Sequence, residues 1–157
     1  MNDLSARKRV EMRKRILVVD DDQMMRSALQ ELLEDEAYEV DTAFDGVDAL
    51  DHLNSQWNAY DVILLDLTMP RLNGLQFLHK IQQQDPTLLR AIIAFSADEE
   101  ALEQVACIEI FNTLDKPFDL EVLLELIERA VCDNQELYFT DSQKVTGAPE
   151  VSRYPVY

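Results

Sequence analysis

The chain has 157 residues, the size of one domain, and its hydrophobic content of 47% excludes wholesale disorder. Its apolar runs fall far short of the roughly 20 residues that a membrane span needs. The formal net charge of −17 opposes direct binding of nucleic acid by the body of the chain, because phosphate contacts need Lys and Arg. The N-terminus also lacks a signal-peptide core of about 7 to 15 apolar residues, so we expect a cytoplasmic protein.

Basic residues are concentrated at the N-terminus. Six of the 14 Lys and Arg residues lie within residues 1–15, together with only two of the 31 Asp and Glu residues. The basic residues of this arm are Arg7, Lys8, Arg9, Arg13, Lys14 and Arg15. We interpret the arm as solvated or attracted to the acidic body, and contacts with nucleic acid, anionic lipid or an acidic partner remain as alternatives.

The two cysteines, Cys107 and Cys132, show no metal or redox motif. They have no CxxC spacing, and no histidine lies close to either of them in sequence. We predict that both are buried free thiols, which fits a reducing compartment.

Five short apolar runs alternate with longer segments of helical spacing. The runs predict strands at Ile16–Asp20, Tyr38–Ala43, Asp61–Leu65, Ala91–Phe95 and Ile108–Leu114. Apolar residues three and four apart predict helices at Gln23–Glu34, Val47–Ser55, Leu75–Gln84, Glu99–Ala106 and Leu120–Cys132. Four of these helices are preceded by N-cap residues, namely Asp22, Asn73, Asp98 and Asp119. Strands this rich in Val, Ile and Leu are buried on both faces, so we predict a doubly wound α/β fold with a five-stranded parallel sheet.

Polar residues follow four of the predicted strands. They are Asp20, Asp21 and Asp22 after the first strand, Asp66 after the third, Ser96 after the fourth and Lys116 after the fifth. Taken singly, each has an ordinary explanation as a helix cap, a turn residue or a solvated charge. The carboxyl ends of parallel strands meet at one edge of the sheet, however, so the topology should bring these residues together.

Clustered carboxylates repel one another, and the pKa of one of them should rise unless a cation lies among them. Mg²⁺ prefers oxygen ligands and keeps several waters, so two carboxylates and a backbone carbonyl would be enough to bind it. With Mg²⁺ and Lys116 as the positive groups, Asp66 becomes a plausible nucleophile towards phosphorus.

Four motifs carry a resemblance to a known family. VVDDD at 18–22, LLDLTMPRLNGL at 64–75, AFSA at 94–97 and DKPF at 115–118 resemble the receiver domain of two-component response regulators, of the chemotaxis type. The motifs occur in the family order, and the similarity spans roughly residues 16–132. The resemblance implies a flavodoxin-like fold with strand order 2-1-3-4-5.

The same resemblance implies a role for the acidic residues. Asp66 would accept a phosphoryl group from a histidine kinase or a phosphotransfer protein. The implied Mg²⁺ ligands are Asp20, Asp21, Asp66 and the main-chain carbonyl of Thr68.

The resemblance also implies roles for residues on the fourth and fifth strands. Ser96 and Lys116 would contact the acyl phosphate, and a cis peptide bond would join Lys116 to Pro117. In the family, the switch usually couples the Ser96 position to an aromatic residue three positions before the lysine. That residue is Thr113 here, which places the usual aromatic switch in doubt. Phe111 is an alternative, since alternation along a strand would put it on the same face as Thr113.

We predict three segments: a basic arm over residues 1–15, a receiver domain over residues 16–133 and a C-terminal tail over residues 134–157 that is too short for an effector domain. The expected output is therefore phosphorylation-dependent binding of a downstream protein. Receivers also commonly form homodimers through the fourth helix, the fifth strand and the last helix, and this chain would use the same face.

A stand-alone receiver is the leading interpretation, and it is no enzyme beyond its own phosphorylation and dephosphorylation. A Mg²⁺-dependent phosphohydrolase that forms an aspartyl phosphate is one alternative, but it would need a second Asp where Thr68 stands. A receiver that acts unphosphorylated as a scaffold is the other alternative.

Overall fold

The structure is a computed structural model that describes residues 13–55 and 60–143, with side chains up to residue 134. Its centre is a five-stranded parallel sheet in the order β2-β1-β3-β4-β5, which confirms the predicted topology. The strands are β1 (Arg15–Val19), β2 (Glu39–Ala43), β3 (Val62–Asp66), β4 (Ile92–Ser96) and β5 (Asn112–Asp115). Every residue of β3 and β4 is buried, as expected of central strands covered on both faces.

Helices cover both faces of the sheet. They are α1 (Gln23–Asp35), α2 (Gly46–Ser55), α3 (Gly74–Gln84), α4 (Glu99–Val105) and α5 (Leu120–Gln143), with a short 3-10 helix over Pro86–Ala91 before β4. Buried residues of α1 and α5 share one core with Ile16 and Val18 of β1. Those of α2, α3 and α4 share a second core with Leu17 and Val19. Alternate side chains of one strand thus enter opposite cores, as the strand pleat requires.

Three predicted caps have the hydrogen bonds of N-caps. Asp22 accepts from the main-chain N–H groups of Met24 and Met25, and Asp98 accepts from that of Glu100. Asn73 forms a reciprocal capping box with Gln76 at the start of α3. The predicted cap Asp119 accepts from the N–H of Glu121, two residues along the chain. These bonds satisfy N–H groups that have no partner within the helix, so the starts of the helices follow from local chemistry.

The fifth strand is shorter than the predicted Ile108–Leu114 and begins only at Asn112. Ile108 is buried in the core on the α2, α3 and α4 side, and the N–H of Ile110 donates to the carbonyl of Ile108 at 2.8 Å. This tight turn prevents an extended backbone at residues 108–110. The first part of the predicted strand therefore contains a core residue, Ile108, and only its last part is extended.

The last helix runs eleven residues beyond the predicted end at Cys132. Residues 133–143 contain neither Gly nor Pro, so nothing in the local sequence stops the helix there. The side-chain amide of Asn134 donates to the carbonyl of Asp61 at 3.0 Å, which joins the helix to the start of β3. Within the described residues, no helix is long and apolar enough to cross a membrane.

The prediction of buried thiols is wrong for both cysteines. Cys107 lies in the turn after α4, and Cys132 lies on the solvent side of α5, and both are exposed and free. In α5 the neighbouring Ala130 and Val131 face the core, which leaves position 132 outside. Helical phase, and not residue type, sets the burial of Cys132.

Candidate functional site

Four of the predicted residues meet at the C-terminal edge of the sheet. Asp20 follows β1, Asp66 ends β3, Ser96 ends β4 and Lys116 follows β5. Strand register explains the meeting, because Asp66 pairs with Phe95 and the next residue of β4, Ser96, pairs with Asp115. Neighbouring strands therefore end at nearly the same level, and their last side chains enter one space.

Asp66 is almost fully buried, with 4% of its surface exposed. Its Oδ1 accepts from the main-chain N–H of Thr68 at 3.0 Å, and its Oδ2 lies 3.4 Å from the Lys116 Nζ. Burial raises the pKa of Asp66 to about 6, and the charge of Asp20 also raises it, against the lowering by the Thr68 hydrogen bond and by Lys116. The positive charge of Lys116 therefore offsets only part of the rise in the pKa of Asp66.

Asp20 and Asp21 occupy different environments. Asp20 is fully buried; its Oδ1 accepts from the N–H of Asp22 at 2.8 Å, and its Oδ2 lies 3.2 Å from the Lys116 Nζ. Asp21 is exposed, yet one carboxylate oxygen each from Asp20, Asp21 and Asp66 lie within 4.8 Å of one another. The three acids form an open-sided cluster that solvent reaches from the side of Asp21.

This acidic cluster fits Mg²⁺ by its donor chemistry. All three ligand atoms are carboxylate oxygens, which hard divalent cations prefer. Burial first, and then the charge of Asp20, raises the pKa of Asp66, and a cation bound beside this carboxylate would favour its charged form. Thr68, whose carbonyl the resemblance adds to the ligand set, is held beside Asp66 by its N–H group.

Lys116 lies between the two buried carboxylates. Its Nζ contacts both Asp20 and Asp66 and also lies 4.8 Å from the centre of the Phe95 ring. Its main-chain N–H donates to the carbonyl of Ser96 at 2.9 Å, and the Lys116–Pro117 peptide bond is cis, as predicted. The backbone at the end of β5 therefore directs the ammonium group into the site.

Ser96 is buried and has hydrogen-bond contacts on two sides. Its Oγ lies 3.0 Å from the Thr68 Oγ1 and accepts from the N–H of Asp98 at 3.0 Å. Asp98 in turn caps α4. The hydroxyl of Ser96 thus joins the loop after β3 to the loop after β4.

Gly74 shapes the loop that follows Asp66. A Cβ at this position would lie 2.5 Å from the Cα of Leu67, and the N–H of Gly74 donates to the carbonyl of Leu67 at 3.1 Å. No side chain fits between the two backbones, so glycine is required where the loop closes at the start of α3.

Thr113 does not reach the other predicted residues. It is exposed on β5, where it pairs with Ala94. Phe111 precedes the strand and packs against the core of α1 and α5, as does Leu114. The prediction that Phe111 and Thr113 share a face is wrong, because strand alternation begins only at Asn112.

An ion pair beside the site, between Asp45 and Arg71, was not predicted from the sequence. Asp45 is buried, and its Oδ1 accepts from the N–H of Asp48 at 2.8 Å at the start of α2, while its Oδ2 pairs with the Arg71 guanidinium. Arg71 has a left-handed φ of 65°, and its guanidinium lies 5.3 Å from the centre of the Phe44 ring. An Asp two residues before the predicted helix Val47–Ser55 was a signal for the cap, but no local pattern indicated its basic partner.

Comparison with known proteins agrees with the fold and the motifs. Residues 16–128 match the family model described as the response regulator receiver domain. The response regulator ArlR of Staphylococcus aureus strain Mu50 is 40% identical over 122 residues, which cover 76% of this chain and 53% of that protein. This chain therefore spans about half the length of the curated relatives that it matches.

Solved structures show the same likeness. A receiver domain protein from Clostridium thermocellum superposes with a TM-score of 0.73 at 27% identity, covering 79% of this chain and 98% of that one. The chemotaxis protein CheY4 of Vibrio cholerae gives a TM-score of 0.67 at 29% identity, covering 76% and 99%. The chain belongs to the family of response regulator receiver domains of two-component systems.

Proposed function

We propose that this receiver domain is a phospho-switch in which Asp66 accepts a phosphoryl group from a histidine kinase or a phosphotransfer protein. One observation carries the proposal: the nearly buried Asp66 carboxylate lies among two further carboxylates and the Lys116 ammonium at the C-terminal edge of the sheet. Asp20, Asp21, Asp66 and the main-chain carbonyl of Thr68 would hold one Mg²⁺.

In this proposal a carboxylate oxygen of Asp66 attacks phosphorus. The new O–P bond forms as the N–P bond to the donor histidine breaks, and the histidine nitrogen leaves with the bonding electrons. Lys116 and the hydroxyl of Ser96 stabilise the negative charge on the transferred phosphoryl oxygens. Bound Mg²⁺ would supply Lewis-acid neutralisation of the same charge.

We further propose that the output is binding of a downstream protein and that the chain catalyses only its own phosphorylation and dephosphorylation. Phosphorylation puts a group with about −1.5 to −2 charges in place of the single charge of the Asp66 carboxylate, which would bias a two-state element near it. The acidic surface disfavours direct nucleic-acid binding. Exposed Leu120 and Val122 at the start of α5 provide apolar contacts for a homodimer through α4, β5 and α5.

The phosphohydrolase alternative has weaker support. Such an enzyme would need an acid two residues after Asp66, whereas the hydroxyl of Thr68 at that position contacts Ser96. The scaffold alternative is disfavoured because the acceptor, the acidic cluster, Ser96 and Lys116 are all present and close together.

The test is phosphoryl uptake from acetyl phosphate, followed by intact-protein mass spectrometry with and without Mg²⁺. We expect a Mg²⁺-dependent gain of one phosphoryl group in the native chain and none in Asp66→Asn. Asp51→Asn, which removes an exposed carboxylate on α2, is the matched control and should gain the group normally. Uptake that survives in Asp66→Asn, or that ignores Mg²⁺, would contradict the proposal.

A further inference from the structure

The position of the usual aromatic switch is exposed Thr113, so this chain needs another route from phosphate to surface. Ser96 is the starting point, because its buried hydroxyl has two partners on two different loops. Thr68 belongs to the loop after β3, and Asp98 belongs to the loop after β4.

These contacts form one continuous path. The N–H of Thr68 donates to Asp66 Oδ1 at 3.0 Å, and the hydroxyl of Thr68 lies 3.0 Å from that of Ser96. The N–H of Asp98 donates to Ser96 at 3.0 Å, and the Asp98 carboxylate accepts from the N–H of Glu100 at 3.0 Å to cap α4. Four hydrogen bonds therefore connect the acceptor carboxylate with the first turn of α4.

Phosphorylation would disturb this path at Ser96. A serine hydroxyl has a single proton, and phosphoryl oxygens are acceptors only. To donate to them, Ser96 must turn its proton and its oxygen towards Asp66. Either hydroxyl can be the donor of the 3.0 Å contact between Thr68 and Ser96. With Ser96 as the donor, that contact occupies the one proton that the phosphoryl oxygens require, so the two interactions compete.

We propose that the Thr68 hydroxyl is a latch that holds Ser96 in the resting position, and that phosphorylation of Asp66 opens it. Thr68 is thus a positioning residue for the switch, which runs from Thr68 through Ser96 to α4 without an aromatic side chain on β5. The inference rests on the proposed function of Asp66.

Opening of the latch would change the surface beside the contact between Thr68 and Ser96. Thr68 and Asp98 both line an open cleft of about 320 Å³ between the loop after β3 and α4. Met69 and Asn73 line it on the side of the β3 loop, and Ala101 lines it on the side of α4. Release of Ser96 from Thr68 frees these two walls from each other, so the shape of the cleft depends on the state of the latch.

The test compares Thr68→Val with the native full chain, using beryllofluoride with Mg²⁺ as the probe and calorimetric titration as the readout. Thr68→Val removes the hydroxyl but keeps the shape of the side chain. The resting state then loses a hydrogen bond that the loaded state does not use, so the probe should bind roughly three- to tenfold more tightly. Thr68→Ser, which keeps a hydroxyl, should lie closer to the native affinity.

Two controls isolate the latch. Thr42→Val makes the same change on β2, at the far edge of the sheet, and should leave the affinity unchanged. In a Ser96→Ala background the effect of Thr68→Val should vanish, because the partner hydroxyl is gone. Equal or weaker binding by Thr68→Val would overturn the latch alone, provided that the native chain binds. Failure of the native chain to bind the probe would overturn the proposed function together with the latch.

Discussion

The two edges of the sheet carry charged residues in different balance. At the N-terminal edge partly exposed carboxylates lie against two basic residues: Arg15 pairs with Asp41 at 2.6 Å and with Glu39 at 3.7 Å, and Lys14 pairs with Asp61 at 3.3 Å. At the C-terminal edge, buried Asp20 and Asp66 both depend on Lys116, at 3.2 and 3.4 Å.

This difference distinguishes charged residues that stabilise the fold from charged residues that form the candidate site. The pairs at the N-terminal edge are partly exposed, so water screens their charges and they need no ligand. The C-terminal edge also includes Asp21, so three clustered carboxylates have the Lys116 ammonium as their paired side-chain cation among the described residues. An uncompensated buried carboxylate is costly, and a bound cation removes that cost.

Lys116→Met should have the largest effect. Removal of the ammonium group takes away the side chain that would meet the phosphoryl charge, so the rate of phosphoryl uptake should fall by roughly 10²-fold. Mg²⁺ affinity should not fall, because a competing positive charge is removed. Rates of uptake from acetyl phosphate and calorimetric Mg²⁺ titrations would check both parts, and an unchanged rate would contradict the role of Lys116.

Asp66→Asn should stabilise the metal-free protein at pH 7. The folded-state pKa of Asp66 is raised to about 6, against about 4 for an unfolded Asp. The folded state therefore binds the extra proton between these values, and the stability that this group contributes below pH 4 is lost as pH rises through 6. We expect a gain in the free energy of unfolding on the order of 2 kcal/mol at pH 7, fading towards pH 4.

Urea unfolding with a chelator present measures this gain. Asp61→Asn is a matched change at the N-terminal edge, where the carboxylate has Lys14 and the N–H of Arg15 as partners. That variant should lose stability at pH 7. If Asp66→Asn lost stability as well, the contrast between the edges would be wrong.

Much of the fold follows from local sequence. The continuous apolar runs of β3 and β4 and the caps at Asp22, Asn73 and Asp98 were readable because each depends on near neighbours. The C-terminal edge was also predictable, since parallel topology and strand ends decide which residues meet there.

Other features depend on contacts that are distant in sequence. Ile108 was predicted to lie in a strand, but it packs in the core. Arg71 pairs with Asp45, which lies 26 positions away in the sequence. The contact between the hydroxyls of Thr68 and Ser96 spans 28 positions. No periodicity encodes such pairs, because contacts between segments that are distant in sequence decide them.

Mg²⁺ binding should weaken in acid. Protons compete with the cation for Asp66, so affinity should fall by up to about tenfold per pH unit below about 6 and level off above it. Calorimetric titrations between pH 5 and pH 8 would trace this curve. An affinity that did not change between pH 5 and pH 7 would show that Asp66 is not a ligand.

Arg15→Met should have the smallest effect. The Arg15 side chain is partly exposed, and it pairs with Asp41 and lies 5.3 Å from the centre of the Tyr60 ring. Loss of these contacts should cost about 1 kcal/mol of stability and leave Mg²⁺ affinity and phosphoryl uptake unchanged. Thermal unfolding and the same titration would measure both, and loss of Mg²⁺ binding would remove the distinction between the edges.

The most direct test of the contrast is a Mg²⁺ titration by calorimetry on three proteins: the native chain, Asp20→Asn and Asp41→Asn. Both variants remove one carboxylate charge while keeping an acceptor oxygen, at the C-terminal edge and near the N-terminal edge respectively. We predict one Mg²⁺ per native chain, a large loss of affinity in Asp20→Asn and native affinity in Asp41→Asn. Equal affinity in all three proteins, or loss in Asp41→Asn, would contradict the account.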